Sequence, residues 1–130
     1  MLISALISGK GAPRDLLWLW LDGSFELVVC PSLLGELERV LLRSKFRPYV
    51  SVQEVRAYVA LLRRLVALEP DPEATAGLTP DAGDDYLVAL ARAAKAHFLL
   101  SGDPHLTEFK QARPPVLTPR TFLRRLAASQ

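Results

Sequence analysis

Cysteine and histidine are nearly missing from these 130 residues: Cys30 stands alone, and His97 and His105 are the only histidines. A disulfide framework needs paired cysteines and a zinc module needs ligands at short fixed spacings, so both are excluded, and a reducing, cytoplasmic setting is expected. Long apolar runs are lacking too. No stretch approaches the roughly 20 residues of a membrane span, and Met1–Ser8, though apolar, has neither a basic leader nor a small-residue cleavage site. Neither membrane insertion nor export is therefore expected. An excess of one charge is also absent: 16 Lys and Arg face 14 Asp and Glu, for a net charge of +2. That balance tolerates contact with a phosphate backbone but is too slight to argue for one. Half of the residues are apolar and 23% are charged. This composition rules out disorder and predicts one domain over residues 1–130 with a single core.

The apolar spacing predicts an ordered alternation of elements. A short amphipathic helix over 15–21 is entered through Pro13 and closed by the turn Asp22-Gly23-Ser24. The β-branched and aromatic run 25–30, bounded by that turn and Pro31, reads as a buried parallel strand, with Ser32 as N-cap of the next helix. Leu33, Leu34, Leu37, Val40 and Leu41 recur at helical spacing and predict a helix over 33–43. A second helix over 51–68, set to pair with it, carries Val55, Tyr58, Val59, Leu62 and Leu65 on one face and leaves Arg56, Arg63 and Arg64 to solvent. Residues 69–83, rich in proline, glycine and acids, read as an irregular connection. An alanine-rich helix over 84–96, a strand at 97–100, the turn Ser101-Gly102-Asp103, a strand at 116–117 and a helix over 119–127 complete the chain. Strands alternating with helices call for an α/β fold, a three-layer Rossmann-like domain with a central parallel sheet flanked by helices.

In an open parallel sheet, reactive groups gather outside the carboxyl ends of the strands. Glu36 follows the strand 25–30 by one helical turn, Asp85 opens the alanine-rich helix, and Asp103 lies just past the strand 97–100. Carboxylates brought close together repel unless a cation neutralises them, so a crevice of this kind is suited to a metal. Hard oxygen ligands favour magnesium or manganese, ions that activate water and neutralise charge in phosphodiester hydrolysis.

At this point the chain resembles a known family, the PIN domain, and in particular its prokaryotic branch of toxins from toxin–antitoxin pairs. The likeness rests on Leu2-Ile3-Ser4-Ala5-Leu6, on Phe25 to Pro31 with Leu34-Gly35-Glu36-Leu37 and onward to Leu41, on Asp84-Asp85-Tyr86-Leu87-Val88-Ala89, and on Leu99-Leu100-Ser101-Gly102-Asp103. The resemblance implies a magnesium- or manganese-dependent ribonuclease with Glu36, Asp85 and Asp103 as catalytic metal ligands or water-orienting groups. It also implies an RNA substrate, a cognate antitoxin partner and a homodimer. One departure stands out. The family carries a first, central strand ending in Asp-Thr-Asn immediately ahead of a stretch like Leu2–Leu6, and neither that strand nor its aspartate is present in these residues. A missing middle strand leaves two neighbours with unpaired backbone groups, so Met1–Ile7 or a segment of another copy would have to take its place. A second departure is Pro104-His105 where relatives carry an acid, with His105 available to orient a phosphate.

Each site residue also has a bland reading. Glu36 and Glu38 border the apolar stripe of their helix equally, and only the motif selects Glu36. Asp84 and Asp85 suit a helix start as caps, with capping assigned to Asp84 and the site to Asp85, because Ala89 and Ala96 share its face. Asp103 after Gly102 fits an ordinary turn. Cys30 reads as core, His97 as structural, and Trp18 and Trp20, two residues apart, as one packed and one exposed ring. Arg43, Lys45, Arg47 and the pairs Arg63-Arg64 and Arg124-Arg125 read as solvated faces, with Lys45 and Arg47 placed to flank an RNA path. Two rivals remain: a catalytically impaired binding module of the same fold, and a phosphoacceptor domain. The latter needs a lysine after a late strand, and residues 117–120 offer none.

Overall fold

The computed structural model describes residues 1–73 and 82–129; the side chains of residues 82–84 and of His105 lie outside the described set. In chain order the elements are α1 (Leu2–Ile7), α2 (Ala12–Leu21), β1 (Val28–Val29), α3 (Pro31–Leu41), a 3-10 turn (Ser44–Phe46), α4 (Val52–Leu65), β2 (Ala67–Leu68), α5 (Ala82–Ala93), β3 (Leu99–Leu100), α6 (Pro104–Thr107), β4 (Val116–Leu117) and α7 (Pro119–Ala128). Local chemistry explains several boundaries. Gly23, at φ +86°, turns the chain out of α2, while the N–H groups of Gly23 and Ser24 donate to the carbonyls of Trp20 and Leu19. Ser51 and Glu54 form a reciprocal capping box at the start of α4, and the Thr118 hydroxyl accepts the Thr121 N–H at the start of α7.

The strands are parallel, as their separation by helices demands, and α/β is the class observed. They form two ladders, β1 with β2 and β3 with β4, rather than one continuous sheet. Phe122 of α7 joins the two: its ring meets Phe25, three residues ahead of β1, edge-on at 5.1 Å, and Phe98, directly ahead of β3, at 5.9 Å. Arg125, one turn further along α7, lies over the Phe98 ring at 5.0 Å.

The core sits around β1. Ala5 of α1, Leu17 and Trp20 of α2, Val29, Leu34, Leu37 and Leu41 of α3, and Val55, Tyr58, Val59 and Leu62 of α4 form one buried cluster. Tyr58 ties the chain start to this core by donating its hydroxyl to the Leu2 carbonyl at 2.8 Å, and burial pushes its phenol pKa up. Trp20 is buried and Trp18 is 62% exposed, the division predicted for two rings on different helix faces. Cys30 is fully buried, in keeping with a core role, and His97 is exposed two residues ahead of β3.

Several expected boundaries change. The helix expected over 51–68 ends at Leu65, because the β-branched Val66 turns extended and lets the Ala67 N–H donate to the Leu27 carbonyl, so that Ala67–Leu68 pairs with β1. Leu65, expected on the buried face, is 52% exposed at the helix end. The strands expected at 25–30 and 97–100 each shorten to two residues. The helix α3 starts at Pro31, whose fixed φ suits a first helical position, so Ser32 lies inside it rather than capping it. Residues 2–7 are helical, so this segment does not act as a strand beside β1. The connection at 69–83 falls partly outside the described residues, as does the capping role expected of Asp84.

Arg47, expected on a solvated face, is half-buried; one Nη donates to the Leu41 carbonyl, while Nε and the other Nη are buried with no partner among the described residues. Unmet buried donors cost about 1–3 kcal/mol each, so an apolar side chain of similar length should do better. Arg47→Met is expected to raise the urea midpoint at unchanged slope, corresponding to a gain of about 1 kcal/mol. A lower midpoint would show that the guanidinium is satisfied in solution.

Candidate active site at the carboxyl ends of the strands

Both ladders deliver their carboxyl ends to one side of the molecule. Their amino ends meet at Phe122, and on the opposite side the Tyr86 hydroxyl, in the second turn of α5, donates to Glu36 Oε2 at 3.1 Å, in the second turn of α3. This bond draws together the helix that leaves β1 and the helix that leads to β3. An open cleft of about 440 Å³ lies there, lined by Ser32, Gly35, Glu36, Arg39, Asp71 and Tyr86, with Pro72 at its edge.

Asp71 is the residue that sequence reasoning missed. It stands three residues past β2, and its carboxylate accepts the Ser32 backbone N–H at 2.8 Å, clasping the loop after β2 onto the first turn of α3. An anion is favoured there because the opening N–H groups of a helix have no partners inside it. The Ser32 backbone N–H first, then the Ser32 side chain and the Cys30 thiol, hold the Asp71 carboxyl below its ordinary value. Cys30 shifts the other way. Burial pushes its thiol up and the Asp71 carboxylate adds to the effect, against the opposing pull of the Leu33 and Ser32 N–H groups. A raised thiol pKa at a buried site is that of an inert cysteine, not of a nucleophile.

Of the predicted site residues, Glu36 faces the cleft. Glu38, its equal by periodicity, is half-buried and is not among the cleft residues. Asp85 is 2% exposed, the one buried charged side chain among the described residues, and it sits beside Tyr86 on the first turns of α5. It has polar interactions within the fold. Asp103 is exposed in the turn after β3, where its N–H donates to the Ser101 hydroxyl at 3.0 Å. The phosphate-orienting role considered for His105 lies outside the described residues.

Among the described residues, no three His, Cys, Asp or Glu side chains come close enough to share a metal ion. The donor chemistry nonetheless suits a hard cation. The cleft presents oxygen ligands, Glu36 and Asp71, with Asp85 on the adjoining turn, and magnesium commonly uses only one or two carboxylates, completing its shell with water and phosphate. Arg39 supplies a planar cation beside them, able to meet two phosphate oxygens at once.

The Asp71 clasp carries a test. Its folded pKa is depressed, so its contribution is complete above the ordinary carboxylate value of 3.8 and fades as pH falls through the lower folded value. In Asp71→Ala, the Ser32 amide should exchange faster at neutral pH and Cys30 should react faster with iodoacetamide at pH 8. In the unsubstituted chain the Ser32 amide signal should hold its position down to about pH 4 and move below it. A Ser32 amide indifferent to the substitution would remove the clasp.

A model of the PIN domain family matches residues 1–105, a span that includes β1, Glu36, Asp71, Asp85 and Asp103. No curated protein and no solved structure matches the chain. PIN domains are generally nucleases that act on RNA and use divalent metal ions. The parallel strands, the acids gathered toward their carboxyl ends and the match over most of the length agree: this chain belongs to the PIN domain family.

Proposed function

We propose that this chain is a PIN-type ribonuclease that hydrolyses RNA phosphodiesters, with Glu36, Asp85 and Asp103 as its catalytic acids. The observation that carries the reading is the hydrogen bond from Tyr86 to Glu36, because it brings the helix bearing Asp85 against the wall bearing Glu36, at the carboxyl side of the strands. Arg39 then engages the RNA phosphate, Tyr86 fixes one Glu36 oxygen, and Gly35 leaves the backbone of α3 bare to an approaching strand. Glu36 and Asp85, with Asp103 from the turn after β3, would hold magnesium or manganese, which when bound neutralises phosphate charge and activates a water. No helix among the described residues is long and apolar enough to cross a membrane. We read the chain as a cytoplasmic protein, the toxin of a toxin–antitoxin pair, dimeric and restrained by an antitoxin laid across the cleft. The exposed side chains of Trp18, Tyr49 and Leu65 offer surface for such protein contacts.

A second reading is favoured by the lack of a three-acid group among the described residues. On that reading the chain is a binding module that keeps the RNA or antitoxin surface but has too few ligands for catalysis, the strand-end aspartate that the family resemblance places ahead of Leu2 being absent.

Incubation with single-stranded RNA and manganese separates the two. A ribonuclease should cleave, stop on addition of a chelator, and lose at least about 100-fold in rate in each of Glu36→Gln, Asp85→Asn and Asp103→Ala. Metal-dependent cleavage that persists in Asp103→Ala removes that residue from the site. RNA binding without cleavage in any metal selects the binding module. Gly35→Ala probes the substrate path on either reading. A Cβ there meets nothing within 4 Å, so the substitution should stabilise α3 by about 0.5–1 kcal/mol while weakening RNA binding. Unchanged RNA affinity would place the strand elsewhere.

A further inference from the structure

The two ladders leave a slot. In a parallel strand, alternate residues bond to opposite sides. On β1, the Leu27 and Val29 carbonyls accept the N–H groups of Ala67 and Glu69, so Val28 directs its N–H and C=O away from β2. On β3, the N–H groups of Leu99 and Ser101 donate to the carbonyls of Pro115 and Leu117, so Leu100 directs its own pair away from β4. No backbone hydrogen bond among the described residues takes up the Val28 or Leu100 groups. Both residues are half-buried, where an unmet amide is costly.

The width and direction of the slot are set by its surroundings. Phe25 and Phe98 pack on the same Phe122 ring, so their rings lie within about 11 Å of each other. Inserting one strand between two others needs two strand spacings, about 9.5 Å. The amino ends of both banks meet at Phe122 and the bond between Glu36 and Tyr86 lies toward the other side, so the banks run the same way. An occupant that bonds to both must be extended. Buried between two ladders, it would be apolar on both faces, as central parallel strands are.

The chain start points to the source. Met1 is half-buried, its amino group is desolvated enough to lower its pKa, and the Leu2 carbonyl is tied to Tyr58 inside the core. The helix α1 that follows packs against α3, the element leaving β1. A charged amine is poorly placed in such surroundings; an amide linkage would carry no charge there. We propose that the slot between β1 and β3 receives an extended apolar segment, parallel to both banks and joined to the Met1 amino group in a longer form of this chain. The inference is independent of catalysis, since it rests on backbone edges and not on the acids.

The test compares amide exchange by NMR in three samples. One is the 130-residue chain; the second carries five alternating isoleucine and valine residues and a Ser-Gly linker ahead of Met1; the third carries a Gly-Ser extension of equal length. The apolar extension should slow exchange of the Val28 and Leu100 amides at least about tenfold relative to Val29 and Leu99, equivalent to about 1.4 kcal/mol, and the Gly-Ser extension should not. The acetylated apolar peptide, added free at about 1 mM to the 130-residue chain, should slow the same two amides less than the tethered one, and it also covers the case in which the extended chain aggregates. The proposal falls if neither form slows them, if only the free peptide does, or if Val28 and Leu100 are already as protected as Val29 and Leu99 without any addition.

Discussion

Parallel pairing is the constraint on which the molecule depends. Two parallel strands cannot be joined by a tight turn, so each ladder requires a crossover, and the crossovers supply the helices α3 to α5. The same geometry sends each chain segment out of the carboxyl end of a strand and into a helix start, where unpaired N–H groups attract anions. Cys30 leads directly into α3 in this way, and the Asp71 carboxylate settles on the Ser32 N–H that results. The acidic character of this edge is thus a consequence of topology as well as of composition, since the chain as a whole is close to neutral.

Strands of two residues contribute little ladder energy, so packing across them has to hold the arrangement. The core around β1 supplies most of it, with α3 and α4 closing on Val29 through Leu34, Leu37, Val55 and Leu62. The second ladder is attached by fewer contacts: Phe122 with Phe25 and Phe98 at one end and the Tyr86–Glu36 bond at the other. The same bond therefore belongs both to the joining of the two halves and to the cleft. Loss of the Tyr86 hydroxyl would be felt in the position of Asp85 as much as at Glu36, because both lie on the turn that the bond holds.

The parts legible in the sequence were those with a period or a repeated motif. The amphipathic stripes of α3 and α4, the split between Trp18 and Trp20 and the acids at 36, 85 and 103 all follow from spacing and family resemblance. What escaped was short. Ala67–Leu68 has no alternation to mark it as a strand and follows a helix without a proline or glycine break, so it reads as another half-turn. That misreading concealed Asp71, because an acid shortly past a strand end is noticed only once the strand is. Tyr86 and Arg39 were hidden for a different reason: their importance lies in which helix they face, and a contact between residues 36 and 86 has no signature along the chain.

The cleft and the slot are two outcomes of one geometric fact. A continuous parallel sheet would hold β1 and β3 together through backbone bonds to a common strand, and the helix starts at its edge would be fixed by that sheet. Here the two ladders are separate, and the side chains of Phe122, Glu36 and Tyr86 carry the coupling instead. Side-chain contacts of this kind permit small relative shifts that a hydrogen-bonded ladder would resist. The spacing of acids drawn from different ladders is then less tightly set than the spacing of acids on one helix. Glu36 and Asp71, both anchored on the β1–β2 half, face one cleft, whereas Asp103 follows β3 on the other half. The degree to which Asp103 joins Glu36 at a shared cation is therefore governed by how firmly the two ladders are locked, and that makes the backbone edges of Val28 and Leu100, distant from any carboxylate in chemistry, part of what determines the geometry of the site.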